Sequence, residues 1–419
     1  MSHSSPNHAY PATVSLPKST SKHLPAFDHI RVAGVLLVLL LHALVPYVSH
    51  KMPGLVWPVQ ERPGDEVLDA MFWWIECFVM PLFLLLSGFV AGRLLLHSSR
   101  IEFFRHRKRR LFFPLLFGIA FVLPFDLYAW ALGFVIHGDA PAKSLYTLKF
   151  GAGIDEQLWG LSHLWYLEYV FLYCLILTGG LWLLERFPKL NLFLRKLEPS
   201  NHWVKITFLA VAAVAILAWE PKVVVGFQHR FWPVPSKFLY SGLFFVGGFW
   251  LQRAEGSLDW LRKWGPACAV GAVVVYVCAL PMIHQEIRTV ISPDERWLMC
   301  SSIVYTAWFS CLGMMGCFLR WMNRSVAWIS YFAAASFWMY LVHHPIIGAI
   351  HTGLAFVSLP PMLKGLLAWL LTIGMTVGSY ELFVRKTKLG AWLNGKRRWR
   401  EKPAMQEEET PAVPLKEAA

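Results

Sequence analysis

Apolar residues along this 419-residue chain gather into ten runs, separated by connections in which Lys, Arg, Pro and Gly collect. A helix needs roughly 17–25 mainly apolar residues to cross a bilayer, so such runs are read as spans. They are Ile30–Val48, Met71–Leu96, Leu111–Gly133, Leu164–Leu184, Val204–Trp219, Phe238–Leu251, Ala267–His284, Leu298–Leu319, Ile329–Ile350 and Leu363–Phe383. The sixth is short, and the fifth is only loosely bounded. The expected fold is all-α: a polytopic integral membrane protein of about ten transmembrane helices.

Lys and Arg are concentrated in alternate connections. Under the positive-inside rule this puts both termini in the cytoplasm and supports an even number of spans. The stretches at 1–26 and 389–419 are polar and read as disordered cytoplasmic tails around a transmembrane domain at 27–388. The first of them has neither the apolar core nor the cleavage site of a signal peptide. No internal repeat divides the chain.

With that orientation the intramembrane polar groups acquire a depth. Arg31 and His42 lie eleven positions apart in the first run, which returns to within about 20° of the same helix face and separates them by about 16 Å along the axis. Glu76, His163, Glu168, His343 and His344 come from three further helices and fall at a depth similar to that of His42. Ionisable groups in a span are costly, about 2.5–3.5 kcal/mol each at the bilayer centre, so their convergence points to a water-accessible cavity built for proton chemistry. Separate interhelical hydrogen bonds are the plainer alternative. Glu381, near the end of the tenth run, is a candidate structural partner for an Arg. On the opposite side, Arg105-His-Arg-Lys-Arg-Arg110 forms a basic loop between the second and third helices. Such a run serves either as a topology signal or as a clamp for phosphates, through the forked donors of Arg107, Arg109 and Arg110.

Composition narrows the class. At 56% hydrophobic and 16% charged, the chain is too apolar for a soluble enzyme. Its net charge of +13 follows topology, so no nucleic-acid partner is expected, and the lipid bilayer is the partner. The seven cysteines sit in apolar segments without metal-ligand spacing, so neither a disulfide framework nor a metal site is expected.

These motifs resemble the integral-membrane acyltransferase type 3 family, whose mark is an Arg, ten residues and a His in the first helix. Arg31 and His42 match it. So do Phe83 to Phe89 with Ser87-Gly88-Phe89, Arg107-x-x-Arg110 followed by Pro114, and Ser379-Tyr380-Glu381, over roughly Ala26 to Lys388. Ser162-His-Leu-Trp165-Tyr-Leu167 and Ser336 to Pro345, with its doubled His before Pro, are similar to the branch that succinylates osmoregulated periplasmic glucans.

The resemblance implies a bacterial inner-membrane acyltransferase with acyl-CoA, succinyl-CoA in that branch, as co-substrate and no permanently bound cofactor. It also implies a periplasmic glucan as acceptor, His42 as the catalytic residue and Arg31 as an aid to the donor. An imidazole titrates near neutrality and suits the task of activating a hydroxyl. We expect Arg107, Arg109 and Arg110 to hold the donor phosphates, and Glu76, His163, Trp165 and Glu168 to line the acceptor side. His343 or His344 would supply a cation for a succinyl carboxylate. Two alternatives stay open: an O-acetyltransferase for lipopolysaccharide or another surface glycan, and a proton-coupled transporter or flippase.

Overall fold

The computed structural model describes residues 24–189, 192, 201–228, 230–254, 256–289 and 291–394. Ten long helices carry the fold: α1 (Pro25–Leu44), α2 (Glu66–Leu95), α3 (Arg100–Ile136), α4 (Trp165–Arg186), α5 (His202–Trp219), α6 (Pro235–Arg253), α7 (Ser257–Arg288), α8 (Pro293–Trp321), α9 (Ala327–Leu354) and α10 (Pro361–Phe383). All but α6 are long and apolar enough to cross a membrane. The ends are chemically marked. Asp65 caps α2 by accepting from the amides of Val67 and Leu68, and Ser99 and Ser292 open α3 and α8 with reciprocal Ser–Glu capping boxes.

The sequence reading needs two adjustments. The basic run Arg105–Arg110 is no loop, because α3 begins at Arg100 and carries the run on its first turns. Residues 389–394, expected in the C-terminal tail, belong to a short helix, Lys388–Asn394, with Leu393 buried. The rest of both expected tails lies outside the described residues, apart from residues 24–26, where α1 already begins at Pro25.

In α3 the turn widens twice, at Lys108–Phe112 and Gly118–Val122, where the amides of Phe113 and Leu123 reach back five residues. Each widening stands directly ahead of a proline, Pro114 or Pro124. A proline ring collides with the carbonyl four residues earlier, and a wide turn moves that carbonyl aside.

Helix α1 packs against α2, α8, α9 and α10, which makes it the inner post of the bundle. Helix α7 has most of its apolar surface exposed: Val270, Val273, Val274 and Val277 form a stripe at helical spacing. Such a stripe suits lipid. Two seams of small residues join helices at backbone distance. A Cβ at Gly248 of α6 would lie 1.8 Å from the Leu85 carbonyl oxygen of α2, and one at Gly88 of α2 would lie 1.9 Å from the Phe245 carbonyl oxygen. Gly265 and Gly316 do the same between α7 and α8. This close fit holds α6, the one of the ten that is not a candidate span, against α2.

Candidate active site

His42 stands near the end of α1, with Nδ1 2.9 Å from the Val38 carbonyl oxygen. A carbonyl only accepts, so Nδ1 bears the proton and Nε2 is left with a lone pair. The ring lines a cavity of about 100 Å³ bounded by α1, α2, α4, α6 and α9 and by two connections. One connection brings Met52, Leu55 and Trp57; the other brings Val223, Val224, Gly226 and Phe227. The Phe227 amide donates to the Pro53 carbonyl at 2.7 Å, tying the two connections together. Lys364 pins the first through Glu61 at 2.5 Å.

Four imidazoles meet here. The His42 centroid lies 4.9 Å from that of His343 and 5.2 Å from that of His344, both edge to face. His163 stacks on His344 at 4.9 Å. Their partners differ, and that separates their roles. His344 Nδ1 lies 2.7 Å from Oδ1 of Asp126, and both residues are buried. Asp126 also accepts from the Ser162 hydroxyl at 3.0 Å. Trp130 stacks on the other face of the His344 ring at 5.0 Å. His343 donates from Nδ1 to the Tyr340 carbonyl at 2.7 Å, and its Nε2 is buried without a hydrogen-bond partner among the described residues.

His163 shows why a proline follows the doubled histidine. Pro345 has no amide hydrogen, so the Leu341 carbonyl four residues earlier has no helical donor. His163 Nε2 fills the gap at 2.9 Å, while the Tyr340 hydroxyl donates back to the His163 carbonyl at 2.6 Å. The preceding Ser162 adopts φ +49°, a left-handed conformation that costs energy for a residue with a Cβ. That strain turns its hydroxyl towards Asp126.

Of the residues expected on the acceptor side, Glu76, His163 and Trp165 line the cavity. Glu168 does not; it sits in the first turn of α4 with Oε2 buried and, among the described residues, unpartnered. Among the donor residues, Arg31 is half-exposed and pairs with Asp28 at 3.8 Å. Arg110 feels the charges of both Arg31 and Arg107, so these guanidinium groups gather where α1 and α3 begin. Arg107 is buried, with Nε and Nη2 lacking hydrogen-bond partners among the described residues. Arg109 is exposed. Tyr166 stands between the two regions: its hydroxyl bonds Ser87 of the Ser-Gly-Phe motif at 2.7 Å and feels the charges of Arg107 and Arg31. Glu381 pairs with Arg385 at 2.9 Å and accepts from Tyr331, away from the cavity.

Sequence reading missed Asp126, Ser162, Trp57, Trp130 and Lys237. Asp126 did leave a signal, as a carboxylate inside the third apolar run. Two histidine–aspartate clusters, Asp126–His163–His344 and His50–Asp69–His284, bring ligand-type atoms within 4.8 Å of one another, a juxtaposition that spacing along the chain does not reveal. In the second, buried Asp69 accepts from the His50 amide at 2.7 Å and faces Nε2 of His284 at 2.7 Å, which ties the chain after α1 to α2 and α7.

Comparison with known proteins supplies the wider context. A family model described as an acyltransferase domain matches residues 24–382. The chain is 23% identical over 390 residues to the glucans biosynthesis protein C of Salmonella typhimurium, covering 88% of this chain and 94% of that protein. It is equally similar, over 389 residues, to the protein of that name from Escherichia coli K12. No solved structure matches it.

Proposed function

Because this chain belongs to that acyltransferase family and is a multi-pass membrane enzyme transferring acyl groups, we propose that it moves a succinyl group from acyl-CoA to a hydroxyl of a periplasmic glucan at the bacterial inner membrane. The observation that carries the reading is the state of His42. Its Nδ1 is committed to a backbone carbonyl, and its other nitrogen belongs to a ring lining the cavity. A hydroxyl entering the cavity gives its proton to Nε2 as its oxygen attacks the thioester carbonyl. The new carbon–oxygen bond forms, the carbon–sulfur bond breaks, and the proton passes to the departing thiolate of coenzyme A.

Donor binding is assigned to the guanidinium cluster. A buried Arg107 with unpartnered nitrogens is expensive in an empty site and is satisfied by a phosphate oxygen. From Arg31 to His42 is about 16 Å along α1, a span for the pantetheine arm to cover. The names of the relatives support a glucan acceptor.

Purified protein in lipid vesicles, given labelled succinyl-CoA and a β-glucan oligosaccharide, should label the sugar, and the His42→Ala protein should not. Label transferred to lipopolysaccharide instead would favour the surface-glycan reading. Solute uptake without acyl-CoA would favour a transporter, a reading that membership of an acyltransferase family does not support.

A further inference from the structure

The proposed reaction brings a carboxylate into the His42 cavity, and of the two histidines first considered for it, His344 is already paired with the Asp126 carboxylate and His343 does not line the cavity. The cavity has a different cation. Lys237, in the first turn of α6, lines the wall that also holds Glu76, Trp165 and Tyr240. Its ammonium donates to the Gln228 carbonyl at 2.9 Å and lies 3.9 Å from the centre of the Trp165 ring. Both partners are uncharged. Glu76, on α2, attracts it electrostatically, yet among the described residues the ammonium forms no ion pair.

An ammonium has three donors, and here one is taken by a carbonyl while a ring face covers another side. A charge drawn out of water whose direct contacts are a carbonyl and a ring face is costly, so its position needs a reason beyond packing. Glu76 stands on the same wall of the cavity. The apolar walls around it, Met80, Leu84 and Phe227 among them, strengthen any ion pair formed there.

We propose that Lys237 is the anion-reading residue of the His42 cavity and binds a carboxylate carried by one of the two substrates. The inference rests on the acyl transfer proposed above and deepens it, making Lys237 a determinant of specificity. Two sources of the anion are chemically equivalent: the free end of a dicarboxylic acyl chain, and an acidic substituent on the glycan acceptor.

Four transfer reactions separate them, combining succinyl-CoA or acetyl-CoA with a neutral β-glucan oligosaccharide or the same oligosaccharide oxidised to carry a carboxylate. With the neutral acceptor, Lys237→Met should lower the ratio of kcat/KM for succinyl-CoA over acetyl-CoA at least tenfold, and Lys237→Arg should restore most of it. A fall in the ratio for charged over neutral acceptor would assign the same carboxylate site to the glycan. A ratio unchanged in both comparisons would overturn the proposal, because Lys237 would then be a packing residue. Binding is read independently of turnover. Free succinate should raise the melting temperature of the wild-type protein in detergent and not that of Lys237→Met, with neutral succinamide as control. Equal shifts in the two proteins would also overturn it. Wild-type protein that transfers no acyl group, yet shows the succinate shift, would sink the proposed reaction and leave the anion site standing.

Discussion

Asp126 holds His344 through a 2.7 Å contact between Oδ1 and Nδ1, joining α3 to α9 beside the His42 ring. The second carboxylate oxygen takes the Ser162 hydroxyl, so three segments far apart in the chain meet at one buried carboxylate. Asp126 fixes which nitrogen of His344 carries the proton and points the ring at the cavity, a positioning role like that of the acid beside a catalytic histidine. Asp126→Asn should lower kcat at least tenfold, leave KM for the donor nearly unchanged, and alter the pH profile of kcat. Asp126→Ala should in addition lose about 1–3 kcal/mol of stability, because the buried His344 imidazole loses its carboxylate partner. Steady-state kinetics over a pH series, with thermal unfolding alongside, test both. An Asn variant with an unaltered pH profile would reduce Asp126 to a structural tie.

His42→Ala should insert and fold, bind acyl-CoA as well as the wild type, and lose transfer by about 10²–10⁴-fold, the range for removing a general base. Donor binding measured on the detergent-solubilised protein separates this from misfolding. Retained transfer would remove His42 from the centre of the mechanism.

Arg107 offers a test in which stability and affinity move in opposite directions. Its buried guanidinium has unpartnered nitrogens in the structure as it stands, so Arg107→Met should keep or raise the melting temperature while weakening acyl-CoA binding tenfold or more. Arg109→Met should do neither, since Arg109 is exposed. Donor titration and a melting curve on each protein suffice. Unaltered donor affinity in Arg107→Met would end the case for the clamp.

Gly248→Ala introduces a methyl group 1.8 Å from the Leu85 carbonyl oxygen, a distance that only separation of α2 and α6 relieves. The expected cost is about 1–3 kcal/mol or more. Activity should fall with it, since these helices carry Glu76 and Lys237 on the cavity wall. Unfolding in detergent and a transfer assay on the surviving folded fraction would check the pairing. Stability equal to wild type would mean that the two helices are not packed at backbone distance.

Pro345→Ala should restore an amide that competes with His163 for the Leu341 carbonyl, loosening the His163–His344 stack. Helix α9 should gain stability while transfer falls. A variant of unchanged activity would show that the freed carbonyl is not what holds His163 in place.

Much of this was present in the order of residues alone. The ten helices follow from runs of apolar residues, and the shared face of Arg31 and His42 follows from eleven steps of about 100°. Both rest on the geometry of a single helix, which depends only on neighbours in the chain. The capping serines and the kinking prolines act over the same short range. The basic run was visible, but not its fate: a helical α3 with two wide turns buries Arg107, exposes Arg109 and leaves Arg110 half-buried. Tertiary packing alone decided that Asp126 meets His344 across 218 positions, that His163 answers the carbonyl freed by Pro345, and that Lys237 of α6 lines the same cavity as His42. Those conjunctions depend on which helix faces lie together, and that is set by the fit of whole surfaces, such as Gly88 against Phe245 and Gly248 against Leu85.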